Sequence, residues 1–220
     1  MKSLRKKSVH SRKLTYLTAF TMVLALAGCS NTDDESPDLE ETSDASVSDP
    51  VEYIPASEDG PAENVPEPRL PATATELSED GAKASVRYFW KAEEYARLSG
   101  DTEFLKLISA ETCEFCEESI EGWRASYDEG VWAALHDPLE IEMTDVLVGD
   151  PESENESIGY VFFELHEPAT SFYDDNGERH DESFEKPDVT DWIASLKYDG
   201  TAQKWEIDWI GLEESSDWEE

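Results

Sequence analysis

The feature that most limits the fold of this chain is a change of hydrophobic period at Gly130. Before it, apolar residues recur at helical spacing. After it, they alternate with polar neighbours. Ser78 is placed to cap a first helix whose opening turn holds Glu79 and Asp80, the charge favoured at that end. Ala82, Val86, Phe89, Trp90 and Ala96 then form an apolar stripe, which Ser99-Gly100 ends. Asp101 caps a short second helix carrying Phe104, Leu105 and Ile108. A third helix is expected from about Thr112, with Cys116, Ile120, Trp123 and Tyr127 along one face and Gly130 as its stop.

Beyond Gly130 the spacing is that of strands. Leu139, Ile141, Met143 and Leu147 read as the apolar face of one, with Asp145 interrupting it. Ile158 to His166 is the strongest strand, with Val161, Phe163 and Leu165 on one face and Tyr160, Phe162, Glu164 and His166 on the other. Asn176-Gly177 signals a hairpin within Ser171 to Phe184. Asp191 to Tyr198 and Lys204 to Ile210 complete the set, joined at Asp199-Gly200, with Trp205, Ile207 and Trp209 on a shared face. Helices followed by an antiparallel meander make an α+β domain, expected over residues 76–212.

The N-terminus bears on location rather than fold. Lys2, Arg5, Lys6, Lys7, Arg12 and Lys13 precede an uncharged apolar run from Leu14 to Gly28. As a helix that run spans roughly 22 Å, short of the about 30 Å of a bilayer core. It reads as a cleaved export signal covering residues 1–28. Leu26-Ala27-Gly28-Cys29 has the form of a lipoprotein box: a branched residue, two small residues, then the cysteine that is acylated and becomes the new N-terminus. The expected partner of Cys29 is the lipid bilayer, and the expected location is the extracytoplasmic face of the cell membrane. Two acyl chains on one residue meet the requirement for stable anchoring.

Residues 29–75 are rich in Asp, Glu, Ser, Pro and Thr, with Tyr53 as their one aromatic. They read as a disordered acidic tether, too polar to offset the entropy of ordering. Residues 213–220 read as an acidic tail. The full sequence carries a formal charge of −36, and loss of the basic leader makes the mature chain more negative still. Such a field repels nucleic acid and anionic headgroups. The folded part is therefore expected to meet an envelope protein or a small ligand, and not nucleic acid.

Cys113 and Cys116 are the remaining cysteines, and outside the reducing cytosol a structural disulfide between them is expected. A dithiol oxidoreductase would instead want a strand leading into the CxxC helix, and helices precede it here. Zinc would need further ligands, and His136, His166 and His180 lack ligand spacing. No metal or cofactor is expected. Phe172-x-Asp174-x-Asn176-Gly177 resembles part of a calcium loop, but Phe172 and Ser183 hold the first and twelfth ligand positions, so it reads as a turn. Trp90, Trp123, Trp205 and Trp209 are expected in the core, and Trp132 and Trp192 at a pocket rim.

Gly81-Ala82, Tyr88-Phe89-Trp90, Tyr95-Ala96, Gly100-Asp101-Thr102, Cys113-Glu114-Phe115-Cys116, Gly130 and Trp205-x-Ile207 occur in an order that resembles actinobacterial lipoproteins built on a domain of unknown function. The resemblance implies a nuclear transport factor 2-like, or cystatin-like, cone: helices packed on a curved antiparallel sheet with a pocket between. It brings no established activity and no catalytic residues. In such a pocket Asp145, Tyr160, His166 and Trp192 are the candidate residues. The leading expectation is a non-enzymatic, lipid-anchored binding or interaction domain. A small-pocket enzyme of the cone fold is the second reading, and a thiol-redox protein using Cys113 and Cys116 the third.

Overall fold

The structure, a computed structural model, describes residues 51–149, 156–180 and 189–213. The leader, Cys29, the first part of the expected tether and nearly all of the acidic tail lie outside the described residues. No described helix is long and apolar enough to cross a membrane.

Three helices form as the apolar spacing requires. α1 spans Glu79–Ser99, and Ser78 caps it by accepting the backbone N–H of Gly81 at 3.0 Å. Gly100 ends it in the left-handed conformation (φ 73°), and the ring of Tyr127 lies so close that no side chain would fit there. α2 spans Glu103–Ile108, with Asp101 accepting the Glu103 N–H. α3 spans Glu114–Asp128, slightly later than the spacing predicts. Cys113 occupies its cap position, bonded to Cys116 as a disulfide, and its sulfur accepts the Cys116 N–H at 3.3 Å.

Six strands follow. β2 (Glu140–Gly149), β3 (Glu156–His166), β5 (Thr190–Asp199) and β6 (Lys204–Leu212) form an antiparallel sheet in the order β2-β3-β5-β6. β1 (Trp132–Leu135) and β4 (Thr170–Tyr173) pair separately as a two-stranded ribbon. The architecture is α+β. Val161, Phe163, Leu165, Ala194, Leu196, Trp205 and Ile207 face α1 from the sheet, where Val86, Phe89 and Trp90 meet them in one core. The outer edge of β6 is covered by the end of α2: Ala110 donates to Ile207 O at 2.9 Å.

Two β-bulges change which residues face inward. In β2 the register shifts between Met143 and Asp145. Ile141 and Met143 therefore face the core before the bulge, and Val146 and Val148 after it. Asp145 and Leu147 are exposed on the outer face, which corrects the expected stripe. In β6 the register shifts opposite Ser195 and Leu196, so Trp209 turns outward and Ile210 takes the inward place. The indole of Trp209 lies over Gly211, where a Cβ would come within 2.8 Å of its Cζ2. A bulge adds one residue to one strand, and with a side-chain period of two that exchanges the faces beyond it.

The expected hairpin of Ser171 to Phe184 forms as far as it is described: Tyr173 and Arg179 pair antiparallel and His180 donates to Phe172 O at 2.9 Å, while residues 181–184 lie outside the described residues. The difference lies in what β4 pairs with on its other side. β4 pairs back to β1, four residues that alternation did not single out. The turn at Asn176-Gly177 does form. Asp174 accepts the N–H groups of Asn176 and Glu178, and Gly177 has φ 74°. Trp132, placed by sequence at a pocket rim, is buried and donates its indole N–H to Ser57 O at 2.8 Å.

That bond belongs to a larger correction. Residues 51–75, assigned by composition to the disordered tether, lie against the domain. Ile54 and Glu63 exchange backbone hydrogen bonds, as do Ser57 and Gly60, in a small hairpin. A 3₁₀ turn at Ala72–Thr75 buries Ala74 completely. Tyr198 donates its hydroxyl to Thr75 O at 2.9 Å, and Trp205 its indole N–H to Glu76 O at 2.8 Å. The segment docks mostly by its carbonyls, which is why its polar composition does not reveal it.

Candidate functional site

Where α1, α3 and one end of the sheet meet, a cleft of about 510 Å³ opens to solvent. α1 contributes Glu93 and Arg97, four residues apart and so on one face. α3 contributes Phe115, Ser119, Gly122 and Trp123, with Glu118 on the rim. The sheet supplies Trp192 from β5, and Glu167 follows the end of β3. Trp90 lies at the base, its ring centroid 6.1 Å from Phe115 and 5.7 Å from Trp192.

Charge in this cleft is paired. Arg97 reaches Glu93 through Nε at 3.1 Å and Nη2 at 3.2 Å, and Glu167 through Nη2 at 3.1 Å. Glu93 also accepts the indole N–H of Trp123 at 2.8 Å and the Ser119 hydroxyl at 3.4 Å. The guanidinium sits 5.2 Å from the ring centroid of Trp123, which stacks in turn on Phe172. Glu93 and Arg97 are both buried. Burial works against the charge on Arg97, but Glu93 and then Glu167 outweigh it and hold its pKa above the ordinary value. A pair this well satisfied fixes the walls; removing one partner would leave a buried charge uncompensated.

One buried donor next to the cleft is unsatisfied. The indole N–H of Trp90 is buried and has no hydrogen-bond partner among the described residues. Leaving such a donor unpaired costs about 1–3 kcal/mol.

The four candidate pocket residues divide between the two faces of the sheet. Trp192 faces inward and lines the cleft. Asp145 is exposed at the β2 bulge, where its Oδ1 accepts the N–H of Val146. Tyr160 and His166 are half-buried on the outer face of β3. Asp145, Tyr160 and His166 therefore do not share one pocket, because the bulge carries Asp145 outward; His166 lines a second cleft of about 670 Å³ with Arg87, Trp90 and Lys91 of α1 and Ile141 and Met143 of β2. His166 also sits 3.8 Å from Glu164, and Glu142 faces Glu164 across the β2–β3 ladder. One ligand atom from each of Glu142, Glu164 and His166 lies within 4.8 Å of the others, close enough for a divalent cation to be shared. Their alternation along one strand face is visible in sequence for Glu164 and His166. The cross-strand partner is not.

Glu93, Arg97 and Glu167 carry no sequence signal of their own among 53 acidic residues. The one usable hint is the i, i+4 pairing of Glu93 with Arg97 on the flank of an apolar stripe. Cys113 and Cys116, joined as a disulfide, are each 1% exposed.

Solved structures with similar architecture are distant. The intermembrane space region of chloroplast protein ARC6 is 10% identical, with 62% of this chain and 97% of that chain covered at a TM-score of 0.39. The Kfla4162 protein of Kribbella flavida is 12% identical, over 61% of this chain and 91% of that one, at 0.33. The association domain of C. elegans CaMKII is 17% identical, over 61% and 97%, at 0.31. At these scores neither a fold family nor a function passes from them to this chain. No curated protein matches the sequence. Residues 51–209 match a family whose span takes in the carbonyl-docked N-terminal segment, both sheets and the aromatic cleft, and the chain belongs to that family of unknown function (DUF6318).

Proposed function

We propose that the chain is a non-enzymatic binding domain, anchored through acylated Cys29 on the extracytoplasmic face of the cell membrane, with its ligand site in the aromatic cleft. The fold we assign is the nuclear transport factor 2-like cone, supported by α1 crossing an antiparallel sheet with a cleft at one end. The observation that carries the binding reading is the cleft itself. Its volume falls in the range of small-ligand sites and its walls are aromatic, with paired charges fixed among them.

The same geometry weighs against the enzyme reading. General acid-base chemistry needs a group free to exchange a proton at the reacting atom. Here Glu93 and Arg97 bind each other, and Asp145 lies on the opposite face of the sheet. The anchor rests on the sequence alone: basic leader, short apolar run and lipoprotein box.

Two measurements test the proposal. Metabolic labelling with a fatty acid should mark the wild type and not Cys29→Ala; a variant that stays labelled refutes the anchor. Aromatic fragments of mixed charge, screened on the full-length protein by thermal shift, should include binders that Trp192→Ala loses. If no fragment raises Tm, or if binders bind the variant equally well, the cleft is not the ligand site.

A further inference from the structure

We infer that the cleft takes an organic cation, an ammonium or guanidinium group carried on an apolar body, with the charge held between Glu118 and Glu167 at the rim and the body against Trp192 and Phe115. The inference rests on the cleft being the ligand site and adds the class of ligand.

Three observations carry it. The first is charge. Glu93, Glu118 and Glu167 face a single guanidinium among the described lining residues, so the cleft holds an excess of negative charge inside an already acidic protein. An anionic ligand would find the one guanidinium already paired with Glu93 and Glu167 at 3.1–3.2 Å and would meet three carboxylates around it. A cation meets carboxylates whose attraction is strengthened by the low-dielectric aromatic walls.

The second is the nature of the wall. Phe115 and Trp192 approach edge to face with centroids 5.5 Å apart, and Trp192 meets Trp90 in the same way. Rings so disposed present π-electron surface and apolar edges together, the combination that holds alkylammonium and guanidinium groups. Arg97 over Trp123 shows that this environment already stabilises one such cation.

The third is Gly122. It lies in the interior of α3, where glycine is the poorest helix former after proline. A Cβ there would meet no atom within 4 Å, so the packing of the fold does not require glycine. Gly122 lines the mouth of the cleft and keeps it open to an incoming group.

The test uses the full-length chain in detergent micelles and follows tryptophan fluorescence on titration with benzyltrimethylammonium, benzyl alcohol or phenylacetate. The expected result is that the ammonium binds more tightly than its neutral and anionic counterparts. Gly122→Leu should weaken it by about tenfold or more, the scale of a lost cation–aromatic contact, while Tm stays level or rises. Gly122→Ala should give an intermediate loss with a raised Tm, which separates blockage of the mouth from unfolding. Benzyl alcohol or phenylacetate binding as tightly as the ammonium overturns the cation assignment and leaves the cleft a ligand site. Binding of none of the three overturns both. Ammonium binding that Gly122→Leu does not change places the cation elsewhere on the acidic surface and also overturns the inference.

Discussion

At the scale of single residues, carboxylates that look alike in sequence do different work. Glu93 is buried against Arg97, Glu118 is exposed at a cleft rim, and Asp208 ties three elements together. Asp208, the bulge residue of β6, accepts the hydroxyl of Thr112 ahead of α3 and the ammonium of Lys197 on β5. Partial burial raises its pKa, but the Thr112 hydrogen bond and Lys197 outweigh that, and the result lies below the ordinary aspartate value of 3.8. A carboxylate with a lowered folded-state pKa contributes stability that is fully present above the unfolded value and is lost as pH falls through the folded one. Asp208→Asn keeps an acceptor for Thr112 and loses the ion pair. It should cost about 0.5–1 kcal/mol at neutral pH, and the deficit should shrink as pH falls below 3.8 and vanish below the folded-state value. Urea denaturation of both proteins across that range measures it; a deficit that persists undiminished in acid would show that charge is not its source. Nothing in the sequence marks Asp208 for this role, because Thr112 lies 96 positions away.

At the scale of elements, legibility follows periodicity and fails where periodicity is broken. The cap of α1 and the ends of α1 and α3 are readable because Ser78, Gly100 and Gly130 act locally, whereas the cap of α2 is Thr102 and Asp101 accepts the Glu103 N–H from one residue before it. The strands were readable too, but their faces were not. A bulge near Thr144 and another at Asp208 each exchange inside for outside, misplacing Asp145, Leu147 and Trp209. Val146 and Val148 carry the signal, since their alternation is out of step with Ile141 and Met143. The CxxC pair was legible for a different reason: four residues at a helix start leave little choice of partner. Replacing both cysteines by serine should leave the fold intact, since serine is itself a good helix cap. The lost crosslink should cost about 2 kcal/mol, or roughly 4–8 °C in Tm for a domain of this size. Circular dichroism on heating, with and without reductant, reads this. A variant that fails to fold would mean that the disulfide does more than fix the start of α3.

At the scale of the whole molecule, the boundary of the domain is the part that composition misjudges. A tether reading weighs side chains, and residues 51–75 offer few that are apolar. Their backbone, however, supplies acceptors to Trp132 and Tyr198, donors whose rings are themselves in or beside the core. A buried indole or phenol without an acceptor is costly, so the segment and the core need one another. Gly81 shows how close the fit is, since a Cβ there would fall 2.0 Å from Glu76 O. The family match starting at residue 51 agrees with this limit. A chain beginning at residue 48 should therefore melt at the temperature of one that includes Cys29. A chain beginning at Leu77 should lose several kcal/mol, at about 1 kcal/mol for each of the three orphaned ring donors, with the burial of Ala74 lost as well. Urea denaturation of the two truncations against the full chain decides the matter. Equal midpoints for all three would return residues 51–76 to the tether. A collapse confined to the shorter chain would make them the first structural element of the domain.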